Sequence, residues 1–283
     1  MKTILFPTDF SENANHAFRF AKMIVKAKNT KLILLHTYDL PLVAPVNDFT
    51  SRGQTMSIID NDLRVAAYEQ MKIHTNELDL KYDDYEVLVK EGSTVGEISY
   101  CCKKNNIDLI VMGTKGTTNS RDFLMGSVTA KVITKVKIPV LAVPESAKIQ
   151  PFKKIVFAVD LMYNSTEQIK KAIKFCELNS CSLTFLHIEI GSEKEGVELK
   201  ELKEIIGNNT KLELQLTLTS AETVQKGISS YLEENKTDLL ILSNHTKSFF
   251  EKLFHKSVSK EMLLHGSVPL LIFSDEIHPM VFF

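Results

Sequence analysis

Short apolar runs alternate along this chain with longer segments whose apolar residues recur every three or four positions. In the first half, the apolar runs predict strands at residues 4–7, 32–36, 86–89, 109–112 and 140–143. The helical spacing predicts helices at residues 14–25, 63–78, 94–105 and 127–136. Because strands and helices alternate, we expect a parallel sheet with helices on both faces and right-handed crossovers.

The same pattern occurs twice. Residues 2–9 (KTILFPTD) align with residues 153–160 (KKIVFAVD) at an offset of 151, and residues 108–112 (DLIVM) align with residues 238–242 (DLLIL) at an offset of 130. A repeat of this length is a duplicated domain and not a solenoid unit. We therefore predict one domain over residues 1–146 and a second over residues 151–283, joined by a polar, proline-bracketed linker.

The two offsets locate a length difference between the halves. The drop from 151 to 130 places 21 extra residues in the first half, between His36 and Asp108. Residues 41–62 contain Pro41, Pro45 and Gly53. We therefore predict a long irregular loop there, of a kind that is often functional in compact domains.

The charge and composition of the chain limit the classes of partner that we expect it to bind. The chain has 34 Lys and Arg against 35 Asp and Glu, so its net charge of −1 gives no indication of a nucleic-acid or membrane-surface partner. No apolar run has the length of a membrane span, and no leader-like segment is seen at the N-terminus. The four cysteines form no CxxC or zinc spacing, which favours reduced thiols and a cytoplasmic location.

The histidines give no metal or catalytic signature. None of the eight forms an HExxH or similar spacing, so we predict no metal site and assign no catalytic residue. His36 and His187 end equivalent strands of the two repeats. We predict that both are structural.

Glycines follow the predicted strand 109–112 in the order Gly-x2-Gly-x9-Gly-Ser, ending where a helix begins. Gly113 and Gly116 can adopt positive φ, and without a Cβ they let the backbone approach an anion closely. The free N–H groups at the start of the helix, beginning with Ser127, favour negative charge. Lys115 and Arg121 add positive charge. The alternative, that the glycines serve only a tight turn and helix packing, stays open.

Asp9 follows the first strand and would face the same crevice, because ligands of such sheets bind at the carboxyl ends of the strands. Its carboxylate can accept hydrogen bonds from an amino group or a sugar hydroxyl. It can equally cap the helix that starts near Ser11. The repeat keeps an aspartate at position 160, which suits capping in both halves.

The second copy lacks the glycines. Ser243, Thr246 and Lys256 occupy the three glycine positions. Their side chains would hinder close approach of the backbone to a ligand. We predict that only the first copy of the repeat binds a ligand.

The repeat and the glycine pattern resemble the universal stress protein family in its tandem form. The resemblance implies two Rossmann-like domains, each a doubly wound five-stranded parallel sheet. They would form an intramolecular pseudo-dimer, in which residues 140–143 pair with residues 270–273. It also implies an ATP site, with or without Mg²⁺. Thr37 stands where a branched apolar residue is usual. The site would comprise Pro7, Thr8, Asp9, Thr37, Met112, Gly113, Lys115, Gly116, Arg121, Gly126, Ser127 and Val128.

The resemblance favours a stress-response regulatory protein that binds ATP in its N-terminal domain and acts on an unknown protein partner. Two other functions stay open: a slow ATPase or autophosphorylating protein, and a scaffold that needs no nucleotide. A homodimer of pseudo-dimers also stays open. No nucleic acid or membrane partner is expected.

Overall fold

The computed structural model of the chain describes residues 3–26, 30–41, 49–77, 85–115, 125–161, 166–190, 197–209, 211–243 and 267–274. The first half contains β1 (Thr3–Pro7), α1 (Glu12–Lys26), β2 (Lys31–Tyr38), α2 (Phe49–Glu77), β3 (Tyr85–Glu91), α3 (Thr94–Lys104), β4 (Leu109–Gly113), α4 (Ser127–Lys135) and β5 (Val140–Val143). The second contains β6 (Lys154–Ala158), α5 (Thr166–Asn179), β7 (Ser182–Glu189), α6 (Val197–Gly207), β8 (Leu214–Ser220), α7 (Val224–Glu234), β9 (Leu239–Ser243) and β10 (Leu270–Phe273). The predicted strands and helices of the first half are confirmed, apart from the start of α2.

All the strands form one ten-stranded sheet in the order β3-β2-β1-β4-β5-β10-β9-β6-β7-β8. Each half therefore repeats the Rossmann-like order 3-2-1-4-5, with parallel pairing inside each half. The duplication predicted from the sequence is confirmed. The exact domain boundaries, 1–146 and 151–283, stay a prediction.

The halves join through their last strands. β5 and β10 pair antiparallel, with Leu141 opposite Leu271 at the centre of the register. Both side chains are buried. The predicted pairing inside one chain is confirmed, so the fold is an intramolecular pseudo-dimer.

Alternate residues of each strand enter two different cores, because successive side chains point to opposite faces of a sheet. Ile4 and Phe6 lie in the core that includes α1 and α5 residues. Leu5 lies in the core that includes α3, α4 and α7 residues. The sheet is therefore covered on both faces, as expected from strands that are apolar along their whole length.

The prediction of an irregular loop over residues 41–62 is wrong from Phe49 onward, where α2 already begins. Residues 42–48 lie outside the described residues. The helix has 29 residues, against 11 in α6, so the extra length of the first half lies mainly in a helix. Although α2 is long, neither it nor any other helix of the described residues is apolar enough to cross a membrane.

The predicted linker and Phe152, the residue that follows it, pack against both halves. The ring Nε2 of His16 on α1 lies 2.8 Å from the Ala147 carbonyl oxygen, to which it can donate a hydrogen bond. Phe152 is buried and stacks on Phe20 of α1, with ring centroids 6.1 Å apart. It also contacts Phe175 of α5 at 6.3 Å. The linker is thus more firmly packed than its polar composition indicates.

The four cysteines are free thiols. Burial raises the pKa of Cys102 to about 12, so this thiol stays protonated near neutral pH. Burial also raises the pKa of Cys101. Cys101 lies in the core on the α3 face of the sheet, and Cys102 packs against that core.

Candidate functional site

A cavity of about 230 Å³ opens at the carboxyl ends of β1, β2 and β4, beside the N-terminus of α4. It is lined by residues from all the predicted segments that the structure describes: Pro7, Thr8, Asp9, Thr37, Met112, Gly113, Lys115, Gly126, Ser127 and Val128. Gly116 and Arg121 lie outside the described residues. The cavity is also lined by Ala14 and Thr94, which were not predicted from the sequence, and by Thr129, which was predicted only through its backbone N–H at the start of α4.

The entry to the glycine loop is held from two sides. The Asn13 side chain on α1 donates a 2.9 Å hydrogen bond from Nδ2 to the Lys115 carbonyl oxygen. The Thr129 hydroxyl on α4 donates a 2.9 Å hydrogen bond to the Gly113 carbonyl oxygen. The Gly126 amide donates to the Thr114 carbonyl oxygen, which closes the loop upon itself.

Gly113 is required by close packing. A Cβ at this position would lie 3.0 Å from Cγ and Nδ2 of Asn13 and 3.2 Å from the Asn13 backbone oxygen. Among the described glycines, the positive φ belongs to Gly92, so Gly113 does not use the positive φ that a glycine permits. The absence of a side chain at Gly113 brings α1 against the end of β4.

The N-terminus of α4 has no side-chain cap. Gly126 is the N-cap residue, with φ −67° and ψ 157°, and Ser127 is the first helical residue. At the start of α1, α3 and α7, by contrast, a hydroxyl oxygen accepts a first-turn N–H; the residues are Ser11, Ser93 and Thr223. The first N–H groups of α4 therefore face the cavity without an N-cap side chain.

Asp9 does not provide the side-chain cap of α1. Its Oδ1 accepts a 3.1 Å hydrogen bond from the Ser11 amide, and the Ser11 hydroxyl oxygen accepts one from the Ala14 amide. Ser11 is thus the capping residue, and Asp9 fixes the turn before it. Asp9 is the one carboxylate among the described residues that line the cavity.

At the β2 side of the cavity, two hydroxyl groups meet. Oγ1 of Thr37 lies 2.7 Å from Oγ1 of Thr94, the first residue of α3. Thr94 could have been identified from the sequence, because it begins the helix after β3 and so falls at the same carboxyl edge. The two hydroxyls add polar, rotatable groups to this end of the cavity.

His36 and His187 are structural, as predicted. His36 Nδ1 donates a 2.9 Å hydrogen bond to the Thr8 carbonyl oxygen, and His187 Nδ1 donates a 3.1 Å bond to the Val159 carbonyl oxygen. The two hydrogen bonds join equivalent residues of the two repeats. Each fixes the strand end that leads into the turn before the next helix.

The second half carries a side chain at the strand end where the first half has Gly113. Ser243 stands at the equivalent place at the end of β9, and its hydroxyl donates a 3.1 Å hydrogen bond to Gln168 Oε1. The Gln168 side chain is buried. Thr246 and Lys256 lie outside the described residues.

These features define a duplicated Rossmann-like α/β protein with a glycine-loop cavity in its first half. The sequence model of the Universal stress protein family matches residues 1–144. The match covers half of the chain, and the chain therefore belongs to the universal stress protein family.

Some relatives match half of the chain and others match nearly all of it. Universal stress protein MJ0577 of Methanocaldococcus jannaschii is 32% identical over 152 residues, which cover 50% of this chain and 94% of the relative. Universal stress protein Slr1230 of Synechocystis is 24% identical over 302 residues, covering 96% of this chain and 100% of the relative. The crystal structure of a universal stress protein from Archaeoglobus fulgidus has the same fold, with a TM-score of 0.67, 20% identity and coverage of 96% and 98% of the two chains.

Proposed function

We propose that the chain is a regulatory protein of the stress response that binds ATP in the cavity of its N-terminal half. The observation that carries the proposal is the meeting of the glycine loop, the uncapped N-terminus of α4 and the β1 and β2 ends in one cavity. Family membership supports it independently. The four free thiols suit the cytoplasmic location that we propose with it.

The two ends of the cavity suit different parts of a nucleotide. Gly113, Lys115 and the first turn of α4 would hold the phosphates, because free N–H groups, the helix dipole and a lysine all favour negative charge. Thr8, Asp9 and Thr37 would hold the ribose and the adenine. β2 and β4 flank β1, so Thr37 and Gly113 lie on strands about 10 Å apart, and Thr8 and Asp9 follow the strand between them. Gly116 and Arg121 would complete the phosphate side.

We assign ATP to the first half alone. The Ser243 hydroxyl and the Gln168 amide occupy the second half at the place where Gly113 lies close to α1 in the first. A ligand that approached the strand end there would have to displace a partly buried hydrogen bond, which is unfavourable unless the ligand replaces it.

Binding without turnover is the role that the lining residues favour. Asp9 is the one described carboxylate of the cavity, and its Oδ1 already accepts a hydrogen bond from the Ser11 amide. A general base needs a lone pair directed at the attacking group, and Mg²⁺ bound to phosphates usually needs one or two carboxylates. Asp9 would be the protein ligand if Mg²⁺ accompanies ATP.

Mass spectrometry of ligands released from the natively purified protein tests the proposal directly. We expect an adenine nucleotide in wild type and none in Gly126→Val. The backbone at Gly126 is extended and suits any residue, so this variant should fold while its side chain obstructs the loop. Phosphate release by wild type above the level of Gly126→Val would favour the ATPase. Absence of both bound nucleotide and ATP-dependent thermal stabilisation would favour the scaffold.

A further inference from the structure

We propose that Asn13 is a positioning residue that sets the phosphate end of the cavity, an inference that rests on the proposed function. Asn13 lies in the first turn of α1 and is 6% exposed. It does not line the cavity itself; its neighbour Ala14 does. Its amide reaches across from α1 to the loop that follows β4.

The orientation of the Asn13 amide is fixed by its partner. Nδ2 lies 2.9 Å from the Lys115 carbonyl oxygen, which can only accept a hydrogen bond. A flipped amide would place two acceptors against each other. Oδ1 is buried and has no hydrogen-bond partner among the described residues. Since a buried acceptor without a partner is unfavourable, the residue is better explained by its donor than by its contribution to stability.

Three hydrogen bonds fix the backbone where it enters the glycine loop, and Asn13 donates the outermost of them. Thr129 fixes the Gly113 carbonyl from α4, and the Thr114 amide donates a 3.0 Å hydrogen bond to the Val143 carbonyl of β5. Asn13 fixes Lys115, the next residue outward. The position of the Lys115 backbone, and with it the origin of the Lys115 side chain, therefore depends on Asn13.

This placement also explains why residue 113 is a glycine. The space that a Cβ would occupy at Gly113 is taken by Cγ and Nδ2 of Asn13, both 3.0 Å away. The glycine lets the asparagine reach past the strand end to Lys115. Gly113 and Asn13 thus form one unit, of which the sequence pattern reveals only the glycine.

The test uses Asn13→Leu, which keeps the shape of the side chain but removes the donor. Its matched control is Asn15→Leu on the same helix, whose side-chain oxygen is also buried without a described partner. We expect Asn13→Leu to remain folded and to weaken ATP binding roughly tenfold, the equivalent of one net hydrogen bond. Adenosine lacks the phosphates, so its affinity should change less than about twofold, on the scale of experimental scatter. Asn15→Leu should leave both affinities near wild type.

A second measurement needs no nucleotide. Hydrogen–deuterium exchange in the ligand-free protein should be faster around Lys115 in Asn13→Leu and Asn13→Ala than in wild type, while β1 is unchanged. Unchanged exchange at the loop, or equal losses of ATP and adenosine affinity, would overturn the positioning role. If wild type binds neither ligand, the proposed function is wrong, and the exchange result still decides whether Asn13 anchors the loop.

Discussion

Tyr38 ties the end of β2 to α2, one residue beyond Thr37 of the cavity. Its hydroxyl donates a 2.6 Å hydrogen bond to Asp60 Oδ1. Burial, together with this hydrogen bond and the charge of Asp60, raises the pKa of Tyr38 to about 12. The folded protein therefore keeps the phenolic proton at a pH where an unfolded tyrosine, with a pKa of about 10, has lost it.

The sign of the resulting pH dependence follows from linkage. Stability from the Tyr38 proton is fully present below about pH 10 and is lost as the pH rises towards about 12. We expect the free energy of unfolding to fall more steeply over this range in wild type than in Tyr38→Phe, which has no proton to lose. Urea melts of both proteins across the range measure the difference. Parallel pH profiles would show that Tyr38 is not linked to folding.

Gly113 and Asn13 should be coupled energetically. Gly113→Ala places a methyl group 3.0 Å from the Asn13 side chain. We expect it to destabilise the fold by about 1–3 kcal/mol, as overpacking does. In an Asn13→Ala background the loss should be smaller by about 1 kcal/mol, because most of the conflicting atoms are gone. Four urea melts complete this cycle, and additive effects would contradict the packing explanation.

At this scale the sequence grouped residues that the structure brings together, but it did not explain how they are held. The predicted residues that the structure describes line one cavity at the carboxyl edge of the sheet, and their role in binding stays a prediction. The role of Asn13 could not be predicted, because it depends on a contact across 102 sequence positions. The sequence left Asp9 open between ligand binding and capping of α1, and the side-chain geometry assigned the cap to Ser11.

At the scale of elements, the strands and short helices were predictable because each buries one regular apolar pattern. α2 was not. Ile58, Val65 and Ile73 are exposed on it, whereas Ala67 and Met71 are buried, so its apolar residues do not mark one face. The glycine at position 53 and the prolines before it then suggested a loop. The length difference between the repeats was predicted correctly, but the helical structure of the extra residues could not be predicted.

The contact between α7 and β7 gives a test at this scale. A Cβ at Gly227 of α7 would lie 2.6 Å and 2.8 Å from the Ile188 side chain of β7. Gly227→Ala should therefore lower the free energy of unfolding by about 1–3 kcal/mol. Gly207→Ala is the matched control, since nothing lies within 4 Å of its added Cβ. The control should be neutral or stabilise by up to about 1 kcal/mol. Equal losses in the two variants would contradict the packing.

At the scale of the whole molecule, the pairing of β5 with β10 makes one sheet from two repeats. Its central residue Leu271 is buried and belongs to a core cluster with members in both halves. We expect Leu271→Ala to lower the free energy of unfolding by about 2–5 kcal/mol. Wild type should unfold in a single calorimetric transition that moves to lower temperature in the variant. Two separate transitions in wild type would show that the halves unfold independently.

We expect the two halves of the duplication to differ in function. The first keeps the glycine loop and the uncapped helix start, and the second places the Ser243–Gln168 hydrogen bond at the equivalent strand end. A bound ligand present at about 100 times its dissociation constant stabilises a protein by about 2.7 kcal/mol. Because the sheet is continuous, ATP bound in the first half should stabilise the second as well.

Calorimetric titration of the full chain with ATP decides whether the first half alone binds the nucleotide. We expect one ATP per chain in wild type and no binding to Gly126→Val, whose melting temperature in the presence of ATP should stay near that of nucleotide-free wild type. Two equivalent ATP sites per chain would contradict the assignment to the first half. Undiminished binding to Gly126→Val would contradict the glycine-loop cavity itself.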